Sequence, residues 1–438
     1  MRRDLLRLAT AGSVDDGKST LIGRLLYETK SVLRDQLEAV ERASARQGLA
    51  EANLALLVDG LRAEREQGIT IDVAYRYLST PRRSFILADT PGHPQYTRNM
   101  VTGASTAELV VVLVDARQGL TEQSRRHAAI ASLLRVPHVV LAVNKMDLVG
   151  YEREPFEAVR EAFSDYASRL DFQDVTFIPL SALKGDNVTA RSSAMPWYEG
   201  TTLLHHLEEV HVASDVNLVD LRLPIQRVIR PRDDAHHDYR AYVGRLASGV
   251  VRVGDELTLL PGGSLVRVTG LDAPSGPVQE AFAPMVVAVR LDAPVDVSRG
   301  DLLARPKNLP HVSQDLDAML CWLDDRPLEL DRRYLVKHTT ASTLARPVEL
   351  AYRLDLDGLH RDRAAPALGR NELGRLRLRA ARPLCFDEYQ RNRSTGSFIL
   401  IDEASNATAA AGMLLPPRPS SGPELSAWEA RFAGNGPS

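Results

Sequence analysis

The spacing of hydrophobic positions divides this chain into two regimes. From Met1 to about Val212, short apolar runs such as LLRLA, SFILAD and HVVLAVN alternate with longer stretches whose apolar residues recur at helical spacing. That alternation predicts a mostly parallel sheet with helices on both faces. One charge-rich insertion, between Glu28 and Gly68, carries no strand pattern; its SVLRDQLEAVERASARQ segment predicts one or two helices. Past Asp220 the period shortens. LPIQRVI, YVGRLAS, VVRVGDELTLL, SLVRVTGL and MVVAVRL are short β-type runs between Gly, Pro and Asp turns. From about Pro310 to Met413 a second set follows: DAMLCWL, YLVKHTT, VELAYRL, GRLRLRA and SFILID, with IPLSAL (178–183) as a strand of the first regime. The expected architecture is an α/β domain over 1–212, then two all-β barrel domains over 219–309 and 310–415. A Pro/Gly/Ser-rich tail, 416–438, is expected to be disordered.

Composition narrows the classes. At 438 residues the chain exceeds one compact core, and a net charge of −3 argues against tight binding to bulk nucleic acid, DNA included. The two cysteines, Cys321 and Cys385, offer no disulfide framework or zinc spacing and are expected to be buried thiols. No apolar run approaches the roughly 20 residues that span a bilayer. The basic start MRRDLLRLATAG runs straight into a glycine loop, so reading it as a cleaved signal would destroy that loop. A cytoplasmic protein, with no membrane partner, is expected.

The chemistry begins at GSVDDGKST, residues 12–20. Gly-x-x-x-x-Gly-Lys-Ser between a strand and a helix is a phosphate loop: its backbone amides form a nest continuous with a helix N-terminus. Gly12, Ser13, Val14, Asp15, Asp16, Gly17, Lys18, Ser19 and Thr20 are the expected phosphate binders, Lys18 reaching the β and γ phosphates. The Ser19 hydroxyl suits one position of an octahedral Mg²⁺. SFILADTPGH (84–93) delivers Asp89, a second metal carboxylate acting partly through water, followed by Thr90, Pro91, Gly92 and His93 around a γ-phosphate. Thr70, in the segment between loop and strand, completes the metal shell and senses that phosphate.

A further pair of motifs selects the base. HVVLAVNKMD ends in Asn144, Lys145, Met146 and Asp147; IPLSAL supplies Ser181, Ala182 and Leu183. Asp147 accepts both N1–H and the exocyclic amine of guanine, donors that adenine does not offer in that arrangement. A polar group left buried and unpaired by the wrong base is what gives such a site its selectivity. Lys145 is expected over the ring, Asn144 as a tie to the phosphate loop, and the Ala182 amide against guanine O6. Four motifs in register predict a GTP-binding protein with GTP and Mg²⁺ as cofactors.

A P-loop GTPase (G) domain followed by two β-barrels resembles the translation-factor GTPase superfamily. Within it, VDDGKST, LVDGLRAEREQGITIDVAYRY, ADTPGHPQYTRNMVTGAST and LVDARQGLTEQSRRH resemble the large, GTP-hydrolysing subunit of bacterial sulfate adenylyltransferase. So do SALKGDNV with MPWYEGTTLL, and Phe386, Asp387 and Tyr389 with QRNRSTGSFILIDEASNATAAAGM. The likeness covers about residues 5–413. Elongation factors usually carry His, Ser or Ala where Asp16 stands. The polar loop RPRDDAHHDYR (230–240) is longer than expected of the family; His236 and His237 in it, with no third ligand motif, are read as solvated.

The resemblance implies a GTPase that couples hydrolysis to the uphill formation of adenylyl sulfate (APS) and pyrophosphate from ATP and sulfate. The adenylyl transfer itself is carried out by a separate small catalytic subunit, the partner in a heterodimer or higher assembly. An adenylylsulfate kinase is a second implied partner; the family's fused kinase needs its own phosphate loop, and none follows residue 20. His93 is implied to position the attacking water, with Lys18 and Thr70 as the other catalytic residues. Val14 and Ile69 form an apolar gate that holds His93 back until the partner docks. Two other readings stay open: an elongation-type factor delivering aminoacyl-tRNA, and a GTP-bound scaffold that does not hydrolyse.

Overall fold

The computed structural model describes residues 4–46, 52–58, 72–93, 96–212, 217–230, 239–356 and 358–417. They divide into two compact units: 1–212 with 356–358, and 213–355 with 359–438.

The first unit is built on six strands: β1 (Asp4–Ala11), β2 (Ala74–Ser79), β3 (Arg83–Asp89), β4 (Leu109–Asp115), β5 (His138–Asn144) and β6 (Asp174–Pro179). Their spatial order is β2-β3-β1-β4-β5-β6, parallel throughout except for β2 at one edge. Every residue of β4 and β5 is buried, as Val-rich strands covered on both faces must be. The registers matter for the site. Thr10 lies opposite Asp89 and Asp115 opposite Asn144, so three strands end in polar groups at one edge of the sheet. Leu21, Ile22 and Leu25 of the helix Lys18–Glu28 pack with Leu6, Leu8 and Phe85 in the core of this unit. Among the described residues of the charged insertion are the helix Arg34–Arg46 and the 3₁₀ turn Leu54–Leu57.

Two sequence expectations shift. IPLSAL is not one strand: β6 stops at Pro179, and the Ser181 amide donates to the Asp186 carbonyl while Gly185 N–H donates back to Ser181. VVRVGDELTLL is likewise broken, into Val250–Arg252 and Glu256–Leu260, with Gly254 between them at φ +93°.

The second unit carries two closed barrels. In the first, Glu256–Leu260 pairs with both Ser264–Ala273 and Leu302–Ala304, sealing an antiparallel ring that includes Arg222–Ile229 and Ala241–Arg245. In the second, Tyr334–His338 pairs with both Ala341–Leu354 and Ser397–Asp402 and closes a ring through His311–Trp322 and Leu373–Phe386. Closure removes the exposed edges that short strands otherwise leave. Cys321 and Cys385 are buried free thiols, and burial pushes both up to about 12.

The barrels meet through a buried ion pair. Arg222, fully buried, donates from Nε and Nη2 to the two oxygens of Asp387, each at 2.8 Å. Its remaining donors reach Leu221 O, Asn308 O and Asn308 Oδ1, so all five N–H groups are used. Beside it Arg391 grips Asp220 through two bonds, which hold that carboxyl below the usual carboxylate range. No helix among the described residues is long and apolar enough to cross a membrane.

Candidate functional site

The phosphate loop, the Asp89–His93 turn, the Asn144–Asp147 turn and the Ser181–Leu183 turn all follow strands at the carboxyl edge of the sheet, the edge where open α/β sheets bind ligands. The loop after β1 leads into the helix Lys18–Glu28, whose first amides no side chain caps. Gly17 takes φ +93°, and a Cβ there would lie 2.4 Å from Asn144 Nδ2. Only glycine fits. Lys18 is buried and its ammonium donates to Gly12 O at 3.0 Å and Ser13 O at 2.7 Å. Burial pulls its proton affinity down, opposed by the charges of Asp89, Asp16 and Asp15. Asp16 turns inward, its Oδ2 accepting the Ser13 amide at 2.5 Å, while Asp15 is exposed and Val14, Ser19 and Thr20 are half-buried.

Asp89 ends β3 fully buried and accepts from Thr10 Oγ1 at 3.2 Å; Thr90 Oγ1 donates to Thr10 O. Pro91 and Gly92 are buried against the loop: a Cβ on Gly92 would stand 2.3 Å from Lys18 Nζ. His93 follows, half-buried, its ring 6.0 Å from that of Tyr96. Ile69 and Thr70 lie outside the described residues, as do His236 and His237.

On the base side, Asn144 joins the two loops. Its Nδ2 donates to Asp16 O at 2.7 Å and its Oδ1 accepts the Ala182 amide at 2.9 Å. The Ala182 N–H, expected to face guanine O6, is thus directed to Asn144. Arg24 donates from Nε to Ala182 O at 3.1 Å and also to Leu183 O, fixing the same turn from the helix side. Lys145 adopts a left-handed conformation, Met146 is buried, Asp147 is half-buried, Ser181 is buried and accepts the Lys184 amide, and Leu183 is exposed.

Two further groups serve the site and were not legible as motifs. Asp115 accepts from Lys145 Nζ at 2.9 Å and from the Arg117 guanidinium at 3.1 and 2.7 Å. Burial favours its neutral form, but the bonds from Arg117 and Lys145 win and hold it well below the usual carboxylate range. The signal for it was present: a carboxylate closing an apolar run, as Asp89 does. His127, on the helix Glu122–Leu133, accepts the Gly12 amide at Nδ1, 3.0 Å away, and its Nε2 lies 2.9 Å from Gln123 Nε2. Burial, then the Lys18 and Arg126 cations, push it down to about 3, so the ring is neutral. Nothing in its local sequence distinguishes it from an ordinary core histidine.

A phosphate loop under a parallel sheet, with a second anion-facing turn at Asp89–Gly92 and an Asn-Lys-Met-Asp turn beside it, defines the G-domain class. In agreement, residues 3–226 match the family described as Elongation factor Tu GTP binding domain, and 315–415 match the GTP-eEF1A C-terminal domain-like family. Relatives narrow the class. "Sulfate adenylyltransferase subunit 1" of Bacteroides fragilis (strain YCH46) is 50% identical over 416 residues, covering 94% of this chain and 86% of its own length. "Bifunctional enzyme CysN/CysC" of Mycobacterium tuberculosis (strain ATCC 25618 / H37Rv) is 62% identical over 412 residues, 94% of this chain. The chain spans 67% of that relative. Among solved structures, sup35 complexed with GDP aligns over 94% of each chain at 23% identity, with a TM-score of 0.43. The chain belongs to the sulfate adenylyltransferase subunit 1 family, within the GTPases that carry an elongation factor Tu-type G domain.

Proposed function

We propose that this chain binds GTP at the loop Gly12–Thr20, hydrolyses it, and uses the cycle to drive formation of APS and pyrophosphate from ATP and sulfate on a separate small catalytic subunit. The observation that carries this reading is the 50% identity to a sulfate adenylyltransferase subunit 1 across 94% of the chain. The phosphate and base motifs converging on one sheet edge support it. The domains 1–212, 219–309 and 310–415 are the proposed functional modules, in a cytoplasmic protein.

In the proposed site, Lys18 and the loop amides hold the phosphates, and Asp147, Lys145 and the Ser181–Leu183 turn hold guanine. Asp115 fixes the Lys145 ammonium, and Asn144 keeps the two loops at constant separation. The donor set suits Mg²⁺: a hydroxyl, Ser19, and a buried carboxylate, Asp89, are hard oxygen ligands, with Thr70 as the third. When bound, the ion neutralises charge on the phosphate oxygens. His93, the residue after Gly92, orients the attacking water; Val14 and Ile69 gate it. Coupling requires that the GTP and GDP forms bind the small subunit differently, since a ligand shifts an equilibrium only by its differential affinity.

Co-expression with the small subunit and an assay for pyrophosphate release from ATP plus sulfate tests the reading. GTP should stimulate release and a non-hydrolysable analogue should not. Release indifferent to GTP, with brisk GTP hydrolysis, would place the chain elsewhere among the G-domain proteins. An adenylylsulfate kinase, which would consume the APS, is the second proposed partner.

A further inference from the structure

The phosphate loop contains a buried negative charge that neither metal binding nor base recognition uses. Asp16 is 2% exposed. Its carboxylate folds back into the loop and takes the Ser13 amide at 2.5 Å, while its own carbonyl accepts from Asn144 Nδ2. Lys18, the cation that a polyphosphate requires, already stands among three carboxylates, Asp89, Asp16 and Asp15. Asp15 is exposed and screened by solvent, and Asp89 belongs to the proposed metal shell. Asp16 has neither excuse. A neutral side chain with an oxygen acceptor could hold the Ser13 amide equally well, so loop geometry alone does not require the charge.

Charges in a partly desolvated loop interact far more strongly than they do in water. A nucleotide diphosphate entering this loop therefore meets an internal anion already occupying one of the loop amides and part of the Lys18 field. Burial raises the Asp16 carboxyl above its ordinary value, while the Ser13 amide and the Lys18 and Lys145 cations favour its charged form.

We propose that Asp16 is a built-in antagonist of phosphate binding, which weakens the hold of the loop on guanosine diphosphate and speeds its release between turnovers. This rests on the reading of the site as a guanine-nucleotide pocket. A GTPase that drives a second reaction must shed product on every cycle, and a repulsive group in the loop achieves that without an exchange factor.

The test uses the full chain and N-methylanthraniloyl-GDP in the presence of Mg²⁺, with release followed by stopped-flow fluorescence after chase with unlabelled GDP. D16N keeps an oxygen for the Ser13 amide and removes the charge; D16S is a second neutral variant that keeps a short acceptor. Both are expected to hold the probe about tenfold or more tightly than the parent, through slower release. A role confined to loop geometry predicts unchanged or weaker binding of the probe. Equal or weaker binding by the folded neutral variants overturns the proposal. Absence of any probe binding by the parent chain overturns the nucleotide-pocket reading first, and the proposal with it.

Discussion

Asn144 Nδ2 donates to the carbonyl oxygen of Asp16 at 2.7 Å, tying the end of β5 to a loop 128 residues earlier. Because Asn144 Oδ1 also takes the Ala182 amide, one side chain sets the distance between the phosphate loop and the base turn. Buried amides and carbonyls that lose a partner cost about 1–3 kcal/mol each. N144A should therefore lower stability by about 2 kcal/mol and weaken guanine-nucleotide binding. Thermal unfolding and a GDP titration on the same preparation check both; weakened stability with unaltered affinity would show that the bridge does not position the pocket.

His93 should separate chemistry from binding. H93A is expected to lower the GTP turnover number by about 10²-fold or more while leaving nucleotide affinity near that of the parent. Single-turnover hydrolysis beside equilibrium binding measures the two quantities. A parallel fall in affinity would reassign His93 to holding the loop.

His127 gives a pH signature. Its folded value, about 3, lies below the ordinary 6.5, so the unfolded chain binds the proton and the folded chain refuses it. Stability therefore rises with pH between those values: the contribution is complete above 6.5 and is lost as pH falls toward 3. The slope from this group reaches about 1.4 kcal/mol per pH unit. H127Q, which can still accept the Gly12 amide, should flatten the unfolding free energy between pH 6.5 and 4.5. Identical slopes for parent and variant would refute a neutral buried ring.

The Arg222–Asp387 pair predicts strong non-additivity. R222M strands a buried carboxylate and should cost about 3–5 kcal/mol, whereas R222M combined with D387L should recover most of that loss. Denaturant unfolding of the two single variants and the double variant closes the cycle.

Much of the first unit was readable in one dimension. The runs SFILAD and HVVLAVN read as buried strands, and Asp89 and Asn144 announce themselves as polar residues ending them. The barrel strands were readable as short alternating runs, although Gly254 breaks one of them where a left-handed turn is needed. What escaped depends on partners remote in sequence. Lys145 and Arg117 converge on Asp115, and the first of them stands 30 residues away in the chain. His127 carries no local mark of its role because its partner, the Gly12 amide, is 115 residues away.

The order and chemistry of the motifs belong to the sequence, because each is a local match of residue type to spacing: glycine where φ must be positive, carboxylate where a strand ends. Which amide meets which acceptor was decided only in three dimensions. The Ala182 N–H goes to Asn144, the Asp16 carboxylate turns into its own loop, and Asp387 closes on Arg222 across 165 residues. A buried polar group must find a partner wherever the fold supplies one, and no local pattern records that choice.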